Sequence, residues 1–97
     1  MSFASDIQAT TLTDTGTAVP RRVRLAGVNV VGTATAGSLT FKDGGSGGTT
    51  RLVYNTPAAA GAYDLLIPDN GILFDTDMHV TFSNNAHVTS VVILYVG

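Results

Sequence analysis

Ser38-Leu39-Thr40-Phe41-Lys42 runs into Asp43-Gly44-Gly45-Ser46-Gly47-Gly48 and returns as Thr49-Thr50-Arg51-Leu52-Val53-Tyr54-Asn55. Successive side chains of a strand point to opposite faces. Leu39 and Phe41 therefore share one face, and Ser38, Thr40 and Lys42 the other. On the return, Leu52 and Tyr54 oppose Arg51 and Val53 in the same way. The glycines between the two runs make a hairpin, because glycine accepts the positive φ that tight turns demand. This is a β-hairpin with a glycine tip, and the tip is expected to be flexible.

The same reading extends in both directions. Upstream, Arg21 to Val31 forms the longest strand, preceded by a break at Thr15–Pro20, where Pro20 disfavours a ladder position. Strict alternation places Val23 and Leu25 on one face and Arg22, Arg24, Ala26, Val28 and Val30 on the other. Gly27 interrupts that pattern. A bulge there would change the face of every later residue. Ile7 to Asp14 reads as a first strand, at an edge, and residues 1–6 as a short arm.

Downstream, Ala62 to Ile67 is a short strand, stopped by Pro68-Asp69-Asn70-Gly71, in which Pro fixes φ and Gly takes the positive value. Ile72-Leu73-Phe74 reads as an apolar plug beneath the sheets. Met78 to Ser83 alternates, with Met78, Val80 and Phe82 facing inward. Val88 to Val96 is apolar on both faces, the mark of a strand covered on both sides, by the core and by a further layer or a neighbouring subunit. The count is about seven short strands with no helical period. The expected fold is one antiparallel β-sandwich, jelly-roll-like, over residues 7–97.

Composition narrows the function classes. Only 12% of the 97 residues are charged, about half the usual share, which points to a surface covered by partners. The net charge of −2 supplies no basic footprint for nucleic acid and no polybasic segment for a membrane. With no cysteine, packing alone must hold the domain. The opening Met1–Asp6 has neither a basic nor an apolar region of a signal peptide.

Chemistry-bearing residues are sparse. No serine lies in a nucleophile elbow, and the seven acids are all Asp, mostly at turns. These features predict a non-enzymatic protein without a cofactor. Asp75, Asp77 and His79 would share one face of an extended strand and form the one metal-like constellation. Turn chemistry accounts for the two aspartates more simply, so no metal site is expected. Arg21, Arg22 and Arg24 make the only basic cluster. Arg22 and Arg24 are placed to pair with acids of a neighbouring subunit or to form a solvated strand face. Tyr54, Tyr63 and Tyr95 fall one per strand and are expected at the core edge; a sugar platform is the alternative.

The pattern across nearly the whole chain resembles the small virion proteins of tailed bacteriophages, cyanophages in particular. The pieces that carry it are Ile7–Leu12, Arg22-Val23-Arg24-Leu25, Gly37–Gly45, Leu65–Phe74 and Val88–Tyr95. The resemblance implies a capsid decoration (cement) protein or another small head or tail component. Such a protein would bind the major capsid protein or another virion protein, form a dimer or trimer, and reside on the capsid surface after synthesis in the bacterial cytoplasm. The expected partner contacts are Phe3 and Ile7 on the arm and first strand, Arg22 and Arg24 on the long strand, and Gly45, Ser46 and Gly47 at the hairpin tip. The alternative is a carbohydrate or host-surface binding module of a phage tail or fibre.

Overall fold

The computed structural model describes residues 7–67 and 71–97. Nine strands are present among them: β1 (Ile7–Leu12), β2 (Gly16–Val19), β3 (Val23–Gly32), β4 (Gly37–Asp43), β5 (Thr49–Thr56), β6 (Gly61–Leu66), β7 (Ile72–Phe74), β8 (Met78–Phe82) and β9 (Val88–Val96). They build two antiparallel sheets. One has the order β1-β9-β3-β6, with β7 also paired to β3; the other has the order β2-β8-β4-β5.

The pairings β4–β5, β3–β6, β2–β8 and β1–β9 are nested. They describe one long hairpin whose tip is the β4–β5 turn. Rolling that hairpin up adds the pairings β3–β9 and β4–β8 and produces the two sheets. This is jelly-roll topology, and the glycine-rich turn is the tip of the entire roll.

Two strands exceed the seven expected from sequence. Gly16–Val19 lies in the segment taken as a break. It pairs with β8 through an irregular register, in which Thr17 faces His79 and Val19 faces Met78, so that Ala18 is an extra residue. Pro20 falls just beyond this strand, where no ladder donor is required. Ile72–Phe74, read as a plug, is a three-residue strand on Val23–Leu25. It still acts as a plug, because Phe74 is fully buried.

The core lies between the sheets. Val23, Leu25, Val28 and Val30 of β3 meet Val88, Val91 and Ile93 of β9, and Leu39, Phe41, Met78, Val80 and Phe82 close it from the other sheet. Strict alternation would have turned Val28 and Val30 outward. The pairing of β3 with β9 shifts between Leu25 (opposite Tyr95) and Gly27 (opposite Leu94). Ala26 is the extra residue, and the phase changes there. The Ala26 carbonyl accepts from Ile67 N at 3.0 Å, so the bulge leaves that acceptor paired.

At the tip of the roll, Gly44 (φ 103°) and Gly45 (φ 82°) take left-handed conformations, and Gly48 N donates to Gly45 O at 3.0 Å. A Cβ on Gly48 would collide with the Asp43 carbonyl oxygen, whereas one on Gly47 would meet nothing within 4 Å. Gly48→Ala is therefore expected to lower stability by about 2 kcal/mol, and Gly47→Ala to change it by less than about 0.5 kcal/mol. Urea unfolding of the two variants checks the contrast. Equal losses would mean that the tip is not closed as described.

Candidate functional site

The tip is more firmly held than glycine content suggests. Asp77, just before β8, accepts from Gly44 N and Gly45 N, both at 3.0 Å on one carboxylate oxygen. In return, Asp43 at the end of β4 accepts from Asp75 N (2.9 Å) and Thr76 N (2.8 Å). Each aspartate thus saturates two backbone donors of the other's loop. Arg51 completes the clamp, donating to Asp43 at 2.9 Å. Its position follows from the β4–β5 register, where Phe41 faces Leu52 but Lys42 faces Thr50, which makes Arg51 the extra residue. Lys42 Nζ donates to Ser46 O at 2.9 Å. Gly44 and Gly45 are thereby anchored, because a side-chain carboxylate supplies the acceptor that the turn lacks, and Ser46 is reached by Lys42.

The Asp43 carboxyl is held down to about 2 from its ordinary 3.8, chiefly by the Asp75 and Thr76 amides, with Arg51 adding to them and burial opposing. The aspartates of the metal-like constellation have other partners. Asp77 holds the tip, and Asp75 lies exposed beside Arg22, Nε to Oδ1 3.4 Å. His79 sits in β8 with Nδ1 3.4 Å from Thr17 Oγ1. Among the described residues, no group of three or more His or Asp side chains is gathered as a metal would require. His79 Nε2 and Thr81 Oγ1 are buried without a hydrogen-bond partner there, and nothing in the packing accounts for them.

The three arginines diverge. Arg21 lies over the Tyr95 ring, 5.9 Å from its centroid. Arg22 faces Asp75. Arg24 points from the outer face of the five-stranded sheet. Arg22 and Arg24 flank a cleft of about 190 Å³ floored by Val23, Leu73 and Val96. No carboxylate among the described residues pairs with Arg24. The tyrosines do not form a platform: Tyr63 donates to Ala59 O at 2.6 Å, Tyr95 is stacked under Arg21, and Tyr54 packs against the core. Phe3 lies outside the described residues.

The register of the five-stranded sheet assembles a surface that only partly matches the expected contacts. Its outward side chains stand in rows across the strands: Ile7–Val96–Arg24–Leu73, then Ala9–Leu94–Gly27–Leu66, then Thr11–Val92–Asn29–Asp64. Leu66 is 77% exposed and Ile7 42%, and Val92, Leu94, Val96 and Leu73 are half-buried. A Cβ on Gly27 would touch both Leu66 Cδ2 and Leu94 Cδ1 at 3.4 Å, so the two leucines lean together over the glycine. The polar edge of this band is Asn29, whose Nδ2 donates to Asp64 Oδ1. Ile7 and Arg24 belong to this surface, Arg22 borders it at the cleft beside Leu73 and Val96 while reaching to Asp75, and the tip lies on the other sheet. Leu66, Asn29 and Asp64 were missed. The doubly apolar β9 signals the face, but its neighbours follow only from the strand order.

At the end of the β4–β5 hairpin away from the tip, Ser38, Asn55, Ser83, Asn84 and His87, with Ala36 and Gly37, line a shallow, open hollow of about 460 Å³ and mixed polarity. Comparison of the chain with family models, curated proteins and solved structures gives no significant match.

The clamp makes a signed prediction. A carboxyl depressed in the folded state stabilises it above the unfolded value, and that stabilisation is lost as pH falls through the folded value. Asp43→Asn is expected to cost about 1–3 kcal/mol at pH 7. The deficit relative to wild type should shrink as pH falls from about 4 to about 2. Denaturation midpoints across that range check this, and a deficit independent of pH would contradict it.

Proposed function

We propose that this chain is a non-enzymatic structural subunit of a tailed-phage virion, a decoration protein that attaches to the head shell and stabilises it. One observation carries the assembly part of the reading. A band of apolar side chains, Ile7, Ala9, Leu94, Leu66, Val96 and Leu73, lies on the outside of a sheet whose inner face already has a complete core. Contiguous apolar surface on a small domain marks an interaction site, and the low charge of the whole chain agrees. The jelly roll is used by viral shell proteins and by lectins; this is support by analogy of fold, since one fold hosts many functions. The choice of the shell reading over the lectin one rests on the sequence pattern alone; the comparisons supply no relative that bears on it.

The clamp at the tip of the roll suits such a part. It anchors the start of the tip at Gly44 and Gly45, and a preformed loop binds with less loss of entropy than a mobile one. Major capsid protein or another virion protein is the proposed partner, with the capsid surface as the location.

Co-sedimentation tests the reading. Mixed with heads of the encoding phage that lack it, the purified protein is expected to pellet with them and to raise their melting temperature. Protein that stays in the supernatant at tens of micromolar would overturn the shell assignment. The open hollow at Ser38, Asn55 and His87 favours a second reading, a glycan-binding module. Binding on a glycan array that is lost in Asn55→Ala would support that one instead.

A further inference from the structure

We propose that the apolar outer face of the five-stranded sheet binds a second copy of this chain, back to back across a two-fold axis, with Arg24 of each copy paired to Asp64 of the other. This rests on reading that face as an assembly surface and names its occupant.

The charges on the face single out a second copy. The three rows carry one cation and one anion. Arg24 stands in the row with Val96, and Asp64 in the row with Val92; the Ala9–Leu94–Gly27–Leu66 row runs between them. A two-fold axis lying along that middle row, across the strands, leaves each strand over its own counterpart and exchanges the rows on either side. Leu94 and Leu66 then meet their own copies, and Val96 covers Val92. Arg24 comes to stand over Asn29, with Asp64 one strand away, about 4.8 Å to the side. An arginine spans that offset easily. The contact occurs twice, as a two-fold interface requires.

The groups that would pair are open in the single chain. Arg24 has no carboxylate partner among the described residues. Among the described residues, Asp64 uses only Oδ1, to accept from Asn29 Nδ2, which leaves its other oxygen to accept a guanidinium N–H. Arg24 stands between its cross-strand neighbours Leu73 and Val96, an apolar setting for the stem of an arginine. Gly27 leaves a shallow dip over which Leu66 and Leu94 lean. Two such faces interlock at the ~10 Å spacing of packed sheets. A partner of different sequence would need to match both charges by coincidence; a second copy matches them by symmetry.

Light scattering coupled to size exclusion, with sedimentation equilibrium for affinities, tests this on the full chain. Wild type is expected at twice the 10.0 kDa chain mass. Arg24→Asp and Asp64→Arg are each expected to weaken the dimer at least about tenfold, and the double variant to recover most of that loss. Leu66→Lys, on a side chain 77% exposed, removes the apolar contact without touching the core and should also yield monomer with an unchanged circular dichroism spectrum. A wild-type monomer at millimolar concentration, a trimer, or a dimer indifferent to both charge reversals would overturn the proposal. A wild-type monomer that still pellets with heads would sink this dimer and leave the shell reading standing. A dimer with the expected charge rescue that ignores heads would do the reverse.

Discussion

The bulge at Ala26 in β3 is the constraint on which the two faces of this sandwich depend. β3 is the long central strand, bonded to β9 on one side and to β6 and β7 on the other. Without the extra residue, its valines would divide between inside and outside, and Val28 and Val30 would be lost to the core. With it, Val23, Leu25, Val28 and Val30 all enter the core that Leu39, Phe41 and Val80 close from the other sheet. Burying an aliphatic side chain of this kind contributes roughly 1.5–3 kcal/mol, so the phase change is decisive for a domain with one core. The same shift turns Gly27 outward, where a side chain would crowd the Leu65 carbonyl oxygen at 3.2 Å as well as Leu66 and Leu94. Core continuity and the shape of the outer face have one origin.

The second organising feature is the tip of the rolled hairpin. Four backbone donors, from Gly44, Gly45, Asp75 and Thr76, are taken up by two carboxylates. Turns at the rim of a sandwich cannot satisfy such donors through the ladder, and water would do so without fixing a shape. The reciprocal arrangement joins the β4–β5 turn to the segment that leads into β8, and β4 and β8 are neighbours in the same sheet. It ties the hairpin tip to the chain that closes over it. It also explains an aspartate-rich stretch that a metal could otherwise have claimed.

Much was legible in the residues themselves. Alternation at Leu39 and Phe41, at Leu52 and Tyr54, and at Met78, Val80 and Phe82 gave the inward faces correctly, because period 2 is a local property of extended backbone. Gly27 was readable as an irregular point. The two short strands β2 and β7 were not, since three or four residues are too few to display a period, and each owes its existence to a partner distant in the chain. Of the expected contacts, Ile7 and Arg24 share a surface, whereas Arg22 turns to Asp75 and Arg21 to Tyr95. Nothing in Arg21-Arg22-Val23-Arg24 distinguishes these fates, because each is set by what lies opposite.

By itself, the sequence determined the class of element, the positions of the turns and the character of each strand face. Those follow from φ preference and side-chain alternation, which act over a few residues. Tertiary structure alone decided which strands became neighbours, and with that the rolled topology, the clamp between Asp43 and Asp77, and the outer face that sets Arg24 and Asp64 on either side of a leucine row. Strand pairing is a choice among many registers, settled by burying all of the inward faces at once, and no single segment contains that information.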